Sequence, residues 1–291
     1  MMAIPHLTLG CGYFGHADHH FQIGRTTATR LVDACLDSGI NCFDTADVYG
    51  DGASEEMLGK ILYQKRSKAF IISKVGGFSA GAMEHSGLSR AHIMESCDKS
   101  LRRLRSDYID VYLAHQFDSQ TPIAETLDAF AELKREGKIR AFGVSNFTAI
   151  QLSEVLRYTN SACQLKCDFI QNELSFVFRD QQDEISSLCA RHQIGWMAYS
   201  PLAGGLLVKN KKPIGRWAER DITTIQNMRG SVKALSWQTG ISPVQAALQW
   251  VLAQRGVITV IIGPRNEAQL RDCLGIFNLQ NRPVLAPVMR E

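Results

Sequence analysis

The stretch Cys42-Phe43-Asp44-Thr45-Ala46-Asp47-Val48-Tyr49-Gly50 sets a carboxylate and a phenol just past a short apolar run that begins at Ile40. An aspartate and, five residues on, a tyrosine in a loop ending in Gly50 and Gly52 form a pair suited to proton transfer. Polar residues follow later apolar runs in the same way: Lys74, His115, Ser145 with Asn146, Gln171, and Ser200. A phenol has an ordinary pKa of about 10, too high for efficient proton transfer near neutrality. A neighbouring ammonium favours the phenolate and lowers that value. If Asp44, Tyr49, Lys74 and His115 converge, Asp44 can hold Lys74 and temper its charge, and His115 can orient a carbonyl or relay a proton. Such a set suits protonation of a carbonyl oxygen while hydride arrives from elsewhere. No side chain donates hydride, so a reduced nicotinamide is implied.

These residues need a frame that brings strand ends together. Apolar runs predict strands at Leu7 to Gly10, Ile40 to Phe43, Ala69 to Ser73, Tyr108 to Ala114, Ile139 to Val144, Phe169-Ile170, Gly195 to Ala198 and Val257 to Ile262. Helical spacing lies between them, with Thr121-Pro122 read as an N-cap followed by proline at the first helical position. Gly39, Gly137 and Gly256 each close a helix just before a strand. Strict alternation of strand and helix argues for a parallel sheet, and eight such units in 291 residues fit a (β/α)8 barrel, an α/β TIM barrel, as a single domain over 1–291. A doubly wound sheet is the structural alternative, but no G-x-G-x-x-G follows the first strand and opens a helix. Barrel enzymes carry their sites at the C-terminal ends of the strands, where these polar residues fall.

Composition excludes other classes. Net charge is +3 with scattered basic residues, which leaves no electrostatic footprint for nucleic acid. The eight cysteines are scattered and read as reduced core thiols, with no metal site expected. No basic leader or long apolar run is visible, so a cytoplasmic protein without membrane segments is expected. His16, His19 and His20 are read as a polar loop rather than metal ligands. Arg102, Arg103 and Arg105 are read as a solvated helix end, and Trp217, Trp237 and Trp250 as core or interhelical packing.

The motifs themselves resemble those of the aldo-keto reductase superfamily over nearly the whole chain. The matching stretches are Asp44-Thr45-Ala46-Asp47-Val48-Tyr49-Gly50, Ser73-Lys74, Ser100-Leu101-Arg102-Arg103-Leu104 with Asp107-Tyr108-Ile109-Asp110, Gly137-Lys138-Ile139-Arg140, Gly143-Val144-Ser145-Asn146-Phe147, and Tyr199-Ser200-Pro201-Leu202-Ala203-Gly204-Gly205. The resemblance implies a (β/α)8 barrel and NAD(P)H-dependent interconversion of aldehyde, ketone or sugar carbonyls with alcohols. It makes Tyr49 the general acid, with Lys74 lowering its pKa, Asp44 supporting Lys74 and His115 positioning the carbonyl. Ser145, Asn146 and Gln171 would hold the nicotinamide carboxamide, and Tyr199 would stack on the ring. Ser200 to Leu206, including Pro201, Leu202 and Gly204, would wrap the pyrophosphate, with Lys209 and Arg216 reaching the phosphates. Gly263, Arg265 and Gln269 would meet the adenosine end, Arg265 pairing with a 2′-phosphate through its fixed fork of donors. Gly12, Tyr13 and Phe14 are expected at the cofactor, with Tyr13 and Phe14 also lining the substrate pocket.

The chain departs from the family pattern at Cys273, where asparagine is common, and at Pro264, where serine or threonine is common. Both changes remove polar contacts, so the expected NADP(H) preference is modest. The short tail after Ile276 predicts an open pocket wall. Two alternatives stand beside the NADP(H)-dependent reductase: an NAD-dependent sugar or alcohol dehydrogenase, and a nicotinamide-sensing module resembling potassium-channel β subunits.

Overall fold

Eight parallel strands close on themselves in chain order in a computed structural model that describes residues 4–15, 22–77, 87–161, 165–213, 217–218 and 221–279. They are β1 (Leu7–Gly10), β2 (Cys42–Asp44), β3 (Phe70–Val75), β4 (Ile109–Ala114), β5 (Ile139–Ser145), β6 (Cys167–Glu173), β7 (Gly195–Tyr199) and β8 (Val257–Ile262). Helices α1 (Arg25–Asp37), α2 (Ala53–Leu62), α3 (Arg90–Leu104), α4 (Ile123–Arg135), α5 (Ala149–Ser161) and α6 (Gln182–His192) separate β1 to β7. Two helices, α7 (Ile222–Thr239) and α8 (Pro243–Leu252), precede β8, and α9 (Glu267–Leu274) follows it. This is the expected TIM barrel. Among the described residues no helix is long and apolar enough to cross a membrane.

The strands are buried on both faces, as parallel strands must be when helices cover the outside. Alternation then divides each strand between two cores. One parity packs inside the barrel: Cys42, Phe70, Ile72, Val111, Leu113, Ala141, Met197 and Ile261 form one buried cluster, with Phe169 against it. The other parity packs under the helices, with Phe43, Ile71, Tyr112, Phe142, Val144, Ile170 and Ala198 in the larger cluster. Gly143 shows how full the interior is, since a Cβ there would lie 2.4 Å from the Phe169 carbonyl oxygen and 2.8 Å from Leu113 Cδ2. Cys11, Cys35, Cys42, Cys97, Cys167, Cys189 and Cys273 are buried free thiols.

Three local readings are corrected. Pro122, not Thr121, is the N-cap of α4, and the Thr121 hydroxyl instead donates to Asp118 Oδ2 at 2.6 Å. Trp237 is 76% exposed on α7, whereas Trp250 is buried in α8. Arg103 is not a solvated helix end: its Nε donates to the fully buried Glu55 at 2.7 Å. The His16, His19 and His20 cluster, Cys163 and Arg216 lie outside the described residues.

Candidate active site

Counting by twos up each strand from the apolar floor leads to the polar residues. Cys42 gives Asp44; Phe70 and Ile72 give Lys74; Val111 and Leu113 give His115; Ala141 and Gly143 give Ser145; Phe169 gives Gln171; Met197 gives Tyr199. Side chains two apart share a face of the sheet, so these six project from the interior parity at the C-terminal mouth. Ser200, also expected at a strand end, has the other parity, and its φ of 55° turns the chain out of β7.

Lys74 is fully buried, and its ammonium donates to Asp44 Oδ1 at 2.7 Å, to the Thr45 carbonyl at 2.8 Å and to the Tyr49 hydroxyl at 3.3 Å. Burial works against this charge, but the Asp44 carboxylate and the Tyr49 oxygen outweigh it and hold the Lys74 pKa above its ordinary value. The second Asp44 oxygen accepts from the Gln171 amide at 2.6 Å, so a residue of β2 is joined to one of β6 across the barrel.

Tyr49 comes from the loop after β2, and that loop is tied at several points. Its amide donates to the Ala46 carbonyl at 3.2 Å, and its carbonyl accepts from the Ser54 amide at 3.2 Å. The Ser54 hydroxyl donates to the Cys11 carbonyl at 2.8 Å and meets the Thr45 hydroxyl at 2.8 Å. Gly12 lies against the ring, since a Cβ there would stand 3.6 Å from Tyr49 Cε2. Behind the loop, Glu55 accepts from Ser73, the outward neighbour of Lys74, and from Arg103. That network anchors the start of α2 to β3 beside the lysine.

His115 packs edge-on against the Tyr49 ring, with centroids 5.7 Å apart. Burial first, and then the Lys74 ammonium, push its pKa down to about 3, so the imidazole is neutral. Its Nδ1 is buried without a hydrogen-bond partner and lies 2.5 Å from where a Cβ on Gly77 would be, which only glycine accommodates. Asp47 is displaced in the other direction: burial and the nearby Glu55 carboxylate raise its pKa to about 7.

Around the mouth, Asn146 has a φ of 59°, donates to the His115 carbonyl at 2.9 Å and accepts from the Tyr199 hydroxyl at 2.6 Å. Ser145 donates to the Gln171 carbonyl at 2.8 Å. Past β7, Gly204 and Gly205 have φ of 63° and 92°, a left-handed path that favours glycine. Trp217 covers Gly204 and donates to Glu173 at 3.1 Å. Pro201 and Leu206 are buried, and Leu202 packs at the edge of the core. Lys211 reaches to 3.8 Å from a Cβ position on Gly205, and burial with the charges of Arg265 and Lys209 lowers its pKa. Sequence reasoning missed Lys211; a loop lysine carries no periodic signal, and only the folded path past Gly205 brings it in. Arg265 lies over the Tyr13 ring at 5.7 Å, and its backbone amide is held by Gln269 at 2.8 Å. Phe14 is fully buried in the core, and open space surrounds the Cβ position of Gly263.

Fold and site together define a (β/α)8 barrel with a buried lysine–carboxylate–phenol cluster at its C-terminal mouth. A family model described as the Aldo/keto reductase family matches residues 7–283. An uncharacterized oxidoreductase of Bacillus subtilis, YqkF, is 31% identical over 286 residues, covering 94% of this chain and 88% of the relative. A probable voltage-gated potassium channel subunit beta of Arabidopsis thaliana is 29% identical, covering 92% and 86%. The solved structure of a glycerol dehydrogenase from Gluconobacter oxydans is similar at a TM-score of 0.79 and 29% identity, covering 94% of this chain and 86% of that one. An aldo-keto reductase from Bacillus halodurans, in its holo form, has a TM-score of 0.76 and 30% identity, covering 94% and 86%. The chain belongs to the aldo-keto reductase family of oxidoreductases.

Proposed function

We propose that the chain interconverts a small aldehyde, ketone or sugar carbonyl with its alcohol using NADP(H), Tyr49 acting as general acid and base. The observation that carries this reading is the Lys74 ammonium, fully buried and 3.3 Å from the Tyr49 hydroxyl, with Asp44 holding it from the other side. A fixed positive charge at that distance favours the phenolate, which eases proton transfer to and from a carbonyl oxygen. A neutral His115 at the ring edge is suited to orient that oxygen by hydrogen bonding.

The residues present fit a dinucleotide. Burial, and then the charges of Arg265 and Lys209, lower the Lys211 pKa, a cost that anionic phosphates would relieve. When bound, the nicotinamide would supply the hydride. Ser145, Asn146 and Gln171 would hold its carboxamide, Tyr199 its ring, the Ser200 to Leu206 turn its pyrophosphate, and Arg265 its 2′-phosphate. Gln269 would act there by fixing the Arg265 backbone.

Turnover of an aldehyde and sugar panel with each cofactor tests the reading, beside Tyr49→Phe. The variant should bind cofactor normally and lose turnover by a factor of about 10²–10⁴, the usual contribution of a general acid. Activity within a few-fold of wild type would mean that another group supplies the proton. The similarity to plant potassium-channel β subunits supports a second reading, a nicotinamide-sensing module, for which tight cofactor binding without turnover on any carbonyl is expected.

A further inference from the structure

We propose that Gln171, beyond any contact with a cofactor, is a positioning residue for proton transfer: its amide fixes the Asp44 carboxylate and through it sets the charge that Lys74 presents to Tyr49. The proposal rests on the assignment of Tyr49 as acid and base. Asp44 is bridged on both oxygens, by Lys74 at 2.7 Å and by Gln171 Nε2 at 2.6 Å. Chemistry dictates the amide orientation, because a carboxylate paired with an ammonium only accepts, and only the NH2 end of glutamine donates. Asp44 and Gln171 are almost fully buried, so neither oxygen has water as a substitute. The bond spans β2 to β6, which are not neighbours in the barrel, and so adds nothing to the strand ladder. A glutamine carries two N–H donors and one acceptor oxygen. One donor on Asp44 leaves a donor and an acceptor, enough for a primary carboxamide, so the two roles are compatible.

The donor withdraws electron density from Asp44 and holds it in line with Lys74. Without it, Asp44 is more basic, neutralises Lys74 more fully, and disfavours the Tyr49 phenolate. The other titratable groups around this line are His115 after β4, the Cys11 and Cys42 thiols, and Asp47 in the Tyr49 loop. His115 is neutral, and burial raises both thiols. Asp47 is ionised above about pH 8, given its pKa of about 7.

The test is the titration of Tyr49 above pH 8, read by NMR of 13Cζ-tyrosine in cofactor-free protein and assigned with Tyr49→Phe. In Gln171→Met, which keeps length and removes the donor, the Tyr49 midpoint should rise by roughly one unit, the low end of what a neighbouring charge does. Gln171→Asn, whose shorter arm withdraws the donor from Asp44, should raise it in the same direction. The alkaline limb of alcohol oxidation should move in parallel. Unmoved midpoints in both variants, even with weaker cofactor binding, would overturn the proposal and leave Gln171 a cofactor contact alone. If Gln171→Met fails to fold, Gln171→Asn decides by the same midpoint. Because the titration needs neither substrate nor cofactor, it stands apart from the turnover panel: no turnover would sink the functional reading, and an unmoved midpoint would sink this one.

Discussion

Lys74→Met should separate stability from chemistry. The lysine side chain is 0% exposed and that of Asp44 5%, with 2.7 Å between charged atoms. Methionine fills much of the lysine volume, so the main loss is the counter-ion, not the packing. Asp44 then stays buried with one amide donor and no cation. Breaking a buried ion pair from one side costs about 3–5 kcal/mol, because the remaining charge is uncompensated. The Gln171 donor offsets part of this, so the lower end, about 3 kcal/mol, is expected. Adding Asp44→Asn removes the orphaned charge and keeps an oxygen to accept from Gln171. The double variant should therefore recover most of the loss, since replacing both members of a buried pair is often close to neutral. Urea denaturation of wild type, both single variants and the double variant measures this cycle. Activity should run the other way: the double variant, though refolded to near wild-type stability, lacks the ammonium at Tyr49 and stays inactive. Any residual oxidation should show its alkaline limb displaced upward. A double variant less stable than either single one would mean that Asp44 and Lys74 are not coupled as their geometry requires. An unchanged pH profile would remove Lys74 from the proton-transfer step.

Arg265→Ala should weaken NADPH by roughly ten- to a hundredfold, as expected for a hydrogen bond to a charged group, and leave NADH nearly unchanged. Fluorescence titration of both cofactors decides; equal losses would place Arg265 on a part that the two share. Asp47→Asn should change how stability depends on pH. The folded pKa of Asp47 is raised from 3.8 to about 7, so its contribution is complete below about pH 4 and is lost as pH rises through 7. The gain in thermal midpoint of Asp47→Asn over wild type should thus be larger at about pH 8.5 than at about pH 5. A constant difference would show that Asp47 does not keep its proton in the folded state.

Most of the site was legible because polar residues at strand ends break otherwise apolar runs. Asp44, Lys74, His115 and Ser145 stand out against Cys42-Phe43, Phe70 to Ile72, Val111 to Ala114 and Phe142 to Val144. The strand boundaries were less legible. β3 runs on through Lys74 to Val75, and β6 through Gln171 to Glu173, because a strand lasts as long as its neighbours' hydrogen bonds do, whatever its composition. The period of two was in the sequence and would have separated Ser200 from Tyr199. Pairings distant along the chain left no such trace. Arg103 read as part of a solvated helix end although it pairs with the buried Glu55, and Gln171 with Asp44, 127 residues apart, is visible only once the barrel is closed.

The same closure explains why His115 and Lys74 have different duties despite both being basic. Each rises from the apolar floor one step above Leu113 or Ile72, into space too dry for two like charges. Lys74 keeps its charge because Asp44 meets it at 2.7 Å, whereas His115 has no carboxylate and loses its proton to burial and to the Lys74 field. The cluster therefore holds one cation and one anion, with a neutral imidazole beside the phenol. On the proposed reading, the imidazole contributes direction and the ammonium contributes charge, so proton transfer at Tyr49 depends on the Asp44–Lys74 line and not on the ionisation of His115. That division follows from what meets the carboxylate: Asp44, on β2, spends one oxygen on Lys74 of the adjacent β3 and the other on Gln171 of β6.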